Sequence, residues 1–428
     1  MAASDVPGLL RPGMTVFVQG AAAEPLTIAA ALAARPEASE GVRYLGILIP
    51  GVNRIDYAAL AAGSRSTVFF ATPENRVSLA AGRAELLPLA YSGVHAYLRD
   101  HADIDLALVQ VAPPDRDGRC SLGPSVDFVP AALRRAKRVA AEINASLPRP
   151  PDAPTVPIER IDYAIEVDRP LIEVPSEHGS AAAADIGRHV AGLVADGDCL
   201  QVGIGKMPNA VLSALADKND LGVHSGMVTD ALLDLVDRGV VTGARKSIDR
   251  ARAVVGVALG SPRLYEAMGD RPAFTFRPVD YTHDVRVTSR IDNLVAVNSV
   301  LEIDLAGQVT AESVAGRQVS GTGGLLDFVR GAAMSRGGRS ILALAATAAG
   351  GTISRIVPTL SPGAAVTLAR TEVDCVVTEY GVARLRHLTL ADRAAALIDI
   401  AAPRFRDWLR DAWREGGGAG GGISRAPS

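Results

Sequence analysis

CLQVGIGKMPNAVLSAL, Cys199 to Leu215, decides the fold class. Its first four residues, Cys199-Leu200-Gln201-Val202, form a short, mostly apolar run. Gly203-Ile204-Gly205 then breaks it, and an apolar periodicity begins at Pro208. Strand, glycine turn, helix is the elementary α/β unit. The same order occurs near the start of the chain, where Thr15-Val16-Phe17-Val18 leads through Gly20 to a helical stretch from Pro25 to Leu32. GAAAEP (Gly20 to Pro25) echoes GIGKMP (Gly203 to Pro208). In the same register Ile28 meets Val211, Ala31 meets Ala214, Leu32 meets Leu215 and Ala33 meets Ala216. Two similarly built α/β halves follow from this echo, and the cleft between such halves is a usual ligand site.

Outward from the two units, strands are predicted at Tyr44 to Ile49, Thr67 to Phe70 and Leu106 to Val111. A helix at Val129 to Arg138 runs into a strand at Val139 to Ile143. SLPRPPDAP (Ser146 to Pro154) is too rich in proline for a helix or a central strand, so a domain boundary is expected at or shortly after it. The second half opens with a helix from Ala181 to Leu193. Its further strands are expected at Ala253 to Leu259, Leu294 to Val297, Ser340 to Ala343, Ala365 to Leu368 and Cys375 to Thr378. The glycine-rich end, EGGGAGGGISRAPS from Glu415, reads as a disordered tail.

With 428 residues the chain exceeds one ordinary core, and two domains of roughly 200 residues are expected. A net charge of −3 gives no electrostatic reason for nucleic acid or an anionic membrane as a partner. Cys120, Cys199 and Cys375 have neither metal-ligand spacing nor an even count, so neither a metal site nor a disulfide framework is expected. The first residues lack a basic region ahead of a long apolar run, and the apolar stretch from Ile341 to Ala349 is too short to span a bilayer. A cytoplasmic protein is expected.

Four segments can carry chemistry. Gly203-Ile204-Gly205-Lys206-Met207 would open backbone N–H groups at a helix start to an anionic ligand, or would simply be a tight turn. Three glycines in Ser320-Gly321-Thr322-Gly323-Gly324 predict close backbone approach to a ligand, against the plainer reading of a surface hairpin. Leu301-Glu302-Ile303-Asp304-Leu305 alternates carboxylates with aliphatics, so Glu302 and Asp304 share a face; for Asp304 a solvated edge is expected. His224-Ser225-Gly226-Met227 places neighbours on opposite faces of an extended segment, which is not a base–nucleophile pair. Glu379, in a strand running into a turn, is expected to be exposed or in a cleft.

Taken with GRCSLGPSVDF (Gly118 to Phe128), LVDRGVVTGARKSI (Leu235 to Ile248), NSVLEIDLAGQVTAES (Asn298 to Ser313), VSGTGGLLDFVRGAAMSRGGRSI (Val319 to Ile341) and VVTEYGVARL (Val376 to Leu385), these segments resemble the acetyl-CoA hydrolase/transferase family, which includes 4-hydroxybutyrate and acetate CoA-transferases. The resemblance runs from about Pro12 to about Leu409. It implies an α/β protein with two tandem CoA-transferase-fold (NagB/RpiA-like) domains, 1–155 and 156–414, followed by a tail at 415–428, with the active site between the domains. It also implies acyl-CoA:carboxylate CoA transfer, with coenzyme A as a substrate and no permanently bound cofactor. The partners would be an acyl-CoA, a carboxylate or other small acceptor, and a second copy of the chain in a homodimer.

Carried over by position, Gly203, Ile204, Gly205, Lys206 and Met207 would form the first CoA loop. Leu301, Gly323 and Gly324 would line the pantetheine and thioester, and Arg355 would contact phosphate. In this family a glutamate attacks the thioester carbonyl, which is nucleophilic covalent catalysis. The histidine-small-Glu-Met pattern that carries it reads His224-Ser225-Gly226-Met227 here, with glycine at the glutamate position. No acid lies between Leu221 and Thr229, and Asp220 and Asp230 only flank the segment. Substitutes to be weighed are Glu302, Glu24, Glu379, Ser225 and His224. Thioester hydrolysis, direct acyl transfer to an acceptor, or a non-catalytic CoA-binding subunit are the alternatives this glycine raises.

Overall fold

The computed structural model describes residues 1–176 and 179–416, so residues 417–428 of the expected tail lie outside the described residues. Two parallel sheets form the frame. In the first, β1 (Thr15–Val18), β2 (Arg43–Gly46), β3 (Arg65–Val68), β4 (Ala84–Leu86), β5 (Leu106–Val111), β6 (Arg138–Asn144) and β7 (Tyr163–Val167) lie in the order β4-β3-β2-β1-β5-β6-β7. Every pairing in this sheet is parallel. All six residues of β5 are buried, Gln110 among them, as a largely apolar strand covered on both faces requires.

The second sheet contains β8 (Cys199–Val202), β9 (Gly222–Val223), β10 (Leu294–Ser299), β11 (Arg339–Ala343), β12 (Cys375–Thr378) and β13 (Gly381–Arg384), in the order β9-β8-β10-β11-β12-β13. Only the β12–β13 hairpin is antiparallel. The helices Leu26–Ala34 and Lys206–Ser213 follow β1 and β8, so the echo in sequence is an echo in structure.

Three expectations change. The proline-rich segment is not a boundary: Leu122 N donates to the Pro154 carbonyl at 3.0 Å, and Thr155–Pro157 pairs antiparallel with Arg119–Ser121. The chain then adds β7 to the first sheet, so that sheet continues past residue 155. Ala365 to Leu368 is not a strand, since only a single bridge from Leu368 to Val309 pairs it. Ala253 to Leu259 is split at Gly256 into Ala253–Val255, which pairs with Phe274–Phe276, and Val257–Ala258, which pairs with Met227–Val228.

One hydrophobic cluster runs through both halves, joining Phe17, Val109 and Phe128 to Leu200, Val257 and Val297. Among the described residues no helix is long and apolar enough to cross a membrane, and no cluster of His, Cys, Asp and Glu could hold a metal ion.

Candidate active site

The parallel direction of the second sheet brings the carboxyl ends of β8, β9, β10, β11 and β12 to one edge. Open α/β sheets bind ligands at this edge. Gly203–Met207, His224–Gly226, Leu301, Ala346 and Glu379 all sit in the segments leaving those ends. Gly205 has φ +104° and starts the helix Lys206–Ser213, and a Cβ there would meet nothing within 4 Å. Ile204 and Gly205 line a 340 Å³ cavity together with Asn209, Thr229 and Asp230, and Pro50 to Val52 of the first half line it as well.

Beside it, the His224–Gly226 segment is fixed from three directions. Ser225 Oγ donates to the Val202 carbonyl at 3.0 Å, tying this segment to the first glycine turn. His224 is fully buried and its Nε2–H donates to the Thr282 carbonyl at 3.1 Å. The Gly226 carbonyl accepts from Gly256 N at 3.0 Å and Val257 N at 3.1 Å. His224 and Ser225 thus point apart, as expected of adjacent residues in an extended chain. Both carry structural bonds here, not a nucleophile and its base.

The space in front of Gly226 belongs to another residue. A Cβ on Gly226 would stand 2.9 Å from His283 Cε1 and 3.1 Å from its Nε2. A Cβ on Gly324 would stand 2.5 Å from the same Nε2. The His283 imidazole is buried, with the rings of Phe328 and Tyr91 at 4.6 and 5.0 Å and its Nδ1 2.8 Å from Thr282 Oγ1. Burial lowers the pKa of both His224 and His283 to about 3, so both rings are neutral at physiological pH.

The Ser320–Gly324 loop docks on the first half and is not a surface hairpin. Ala71 N donates to the Ser320 carbonyl at 3.2 Å, and Tyr91 N to the Gly323 carbonyl at 3.0 Å. A Cβ on Gly321 would collide with the Phe69 carbonyl. Asp327, in the first turn of the helix Leu325–Met334, accepts from Ser92 N at 3.0 Å and Ser92 Oγ at 2.5 Å. Two of the glycines are therefore explained by packing on Phe69 and on His283.

The carboxylates separate clearly. Glu24 is inaccessible and accepts from Tyr57 OH at 2.8 Å and Asn53 Nδ2 at 2.9 Å, so it is spent on the first half's interior. Burial nevertheless raises its pKa. Asp304 is buried, accepting from Gln308 N and Ala306 N, which overturns the expected solvated edge. Asp230 accepts from Ser261 N and Oγ, and Asp220 lies beside Arg245. Glu379 accepts from Ala346 N at 2.8 Å. Glu302 is half-buried, with Oε2 sealed and without a hydrogen-bond partner among the described residues; burial raises its pKa, and the nearby Arg355 opposes this. Arg355 in turn donates to the Leu301 carbonyl at 2.9 Å. None of these carboxylates hydrogen-bonds to the His224–Gly226 segment.

His283 carries no local signal in the sequence, and Asp127 only a neighbourhood, inside GRCSLGPSVDF. Asp127 comes from the first half, has φ +26°, and reaches over Gly256, where a Cβ would collide with its Oδ1 and stand 2.9 Å from the Gly226 carbonyl. Oδ1 is sealed without a hydrogen-bond partner among the described residues, and burial raises the carboxyl pKa to about 7.

Comparison with known proteins agrees with this architecture. The acetyl-CoA hydrolase/transferase N-terminal domain matches residues 1–174, and the corresponding C-terminal domain matches 260–413. The chain is 38% identical over 397 residues to a 4-hydroxybutyrate coenzyme A transferase of Clostridium kluyveri, covering 92% of each chain. It is 39% identical to a succinyl-CoA:cyclohexane-1-carboxylate CoA transferase of Geobacter metallireducens, covering 91% of this chain and 89% of that one. Among solved structures, RipA from Yersinia pestis superposes with a TM-score of 0.90 at 35% identity, over 97% of this chain and 96% of that one. A 4-hydroxybutyrate CoA-transferase from Porphyromonas gingivalis superposes with a TM-score of 0.82 at 35% identity, over 97% of each.

Proposed function

The chain belongs to the acetyl-CoA hydrolase/transferase family, and from that premise we propose that it moves coenzyme A from an acyl-CoA to a second carboxylate in the crevice between its halves. The observation that carries this reading is the cavity at the carboxyl edge of the second sheet, walled by both halves and within the usual size of a ligand site. In this reading Gly203, Ile204, Gly205, Lys206 and Met207 grip the CoA moiety through backbone amides at a helix start. Leu301, Gly323 and Gly324 line the pantetheine and thioester. Backbone N–H groups of the glycine loop stabilise the oxyanion that forms on the thioester carbonyl. Coenzyme A enters and leaves as a substrate. The same reading takes the protein to be cytoplasmic, which its three buried free thiols suit, and to act as a homodimer.

The test is exchange between acetyl-CoA and a panel of carboxylates, including 4-hydroxybutyrate, butyrate and succinate, followed by chromatography of the thioesters. Appearance of a new acyl-CoA supports the reading. Release of free CoA alone would replace transfer by hydrolysis. Absence of CoA binding by calorimetry would overturn the reading altogether.

A further inference from the structure

Gly226 and Gly324 come from different parts of the chain, yet the same imidazole edge occupies the side-chain space of both. Nε2 is the atom that lies nearest Gly324 and second nearest Gly226. The ring is oriented from behind: Thr282 Oγ1 lies 2.8 Å from Nδ1 and 3.4 Å from the Pro278 carbonyl. With the hydroxyl hydrogen directed to that carbonyl, Nδ1–H is the donor and Nε2 keeps its lone pair. Among the described residues Nε2 makes no hydrogen bond of its own. His224 completes the arrangement by holding the Thr282 carbonyl, so the segment that lacks a side chain at 226 also positions the turn that carries His283.

We propose that His283 supplies the nucleophile at this centre, with Nε2 taking the acyl group from the thioester. The inference rests on the reading that Leu301, Gly323 and Gly324 line the thioester, which would bring its carbonyl to the Nε2 edge of the ring. The Nε2 lone pair adds to the thioester carbonyl carbon, the C–S bond breaks, and CoA leaves as the thiolate. The resulting N-acylimidazolium keeps its Nδ1–H, which the Thr282 hydroxyl accepts, and its positive charge balances the thiolate. The acceptor carboxylate then adds to the acyl carbon. The C–N bond breaks, Nε2 regains its lone pair, and a mixed anhydride remains. The CoA thiolate adds to the acceptor's carbonyl in that anhydride, releasing the donor acid as its carboxylate and forming the new thioester. The neutral state of the buried ring keeps the lone pair available at physiological pH. This route differs from glutamate chemistry in one testable way: the protein carries the acyl group and never carries CoA.

The experiment mixes the full chain with acetyl-CoA, quenches it with acid, and maps the acetyl group by peptide mass spectrometry. Acetylation at His283, removed by hydroxylamine, is the expected result. Turnover is measured in parallel for His283→Asn, for which kcat should fall by about 100-fold or more with KM for acetyl-CoA little changed. His283→Gly should regain turnover when imidazole is added. The mapping on unaltered protein decides the matter if the variants fail to fold. Exchange by the wild type with the acetyl group absent from His283, or with CoA attached to a carboxylate, overturns the histidine step and leaves CoA transfer standing. Acetyl-His283 that passes its group only to water supports the histidine step and overturns transfer to a carboxylate.

Discussion

Gly226 and His283 share one space: the imidazole lies where a side chain on residue 226 would begin, 2.9 Å from its Cβ position. Restoring glutamate by Gly226→Glu alone therefore drives the new side chain against the imidazole. The expected loss of stability is about 1–3 kcal/mol, read by denaturant unfolding. No exchange activity should be gained. Combined with His283→Gly, which empties the space, Gly226→Glu should recover stability and form a glutamyl-CoA thioester detectable by mass. A single Gly226→Glu protein as stable as the wild type would show that the ring moves freely aside.

The buried histidines make stability fall on acidification. His224 and His283 have folded pKa values of about 3 against an ordinary 6.5. Below pH 6.5 the unfolded chain takes up protons that the folded chain refuses, so the contribution of these neutral rings, complete above that pH, is lost as pH falls toward about 3. Unfolding free energy measured across that window should drop with a shallower slope in His283→Asn than in the wild type. Equal slopes would mean that the ring is protonated in the folded protein.

Asp127 acts in the opposite direction. Its folded pKa, about 7 against 3.8, means that the unfolded chain ionises first as pH rises. Its favourable contribution is present below pH 3.8 and is lost as pH rises to about 7. Asp127→Asn should therefore gain stability relative to wild type between those values, seen as a rising difference in denaturation midpoint. A difference independent of pH would show that the carboxylate is ionised throughout.

Gly321 tests the contact between the halves. Gly321→Ala would drive a methyl group into the Phe69 carbonyl and lift the Ser320–Gly324 loop from the first half. A loss of about 1–3 kcal/mol is expected, because backbone cannot yield as a side chain can. Activity should fall with it, since Tyr91 N holds the Gly323 carbonyl in the same docked arrangement. Wild-type stability and turnover in the variant would show that the docking is loose.

Much of the frame was legible before the structure. Leu106–Val111 and Cys375–Thr378 fall at the expected residues, because strands buried on both faces read as largely apolar runs, with Gln110 and Thr378 the polar exceptions. Tyr163–Val167 was not seen, since a half-buried edge strand carries little apolar signal. Asp304 misled for a related reason: an alternating pattern shows which residues share a face, and it does not show that the loop to Gln308 folds back to cover the carboxylate.

Sequence alone determined that this is a two-sheet α/β chain and that position 226 has no carboxylate to offer, because strand periodicity, glycine turns and the absence of a side chain are local properties. Only the tertiary structure decided that an imidazole stands in that gap. Residues 226, 283 and 324 meet through the packing of three separated segments, and contact between distant segments leaves no mark in local pattern.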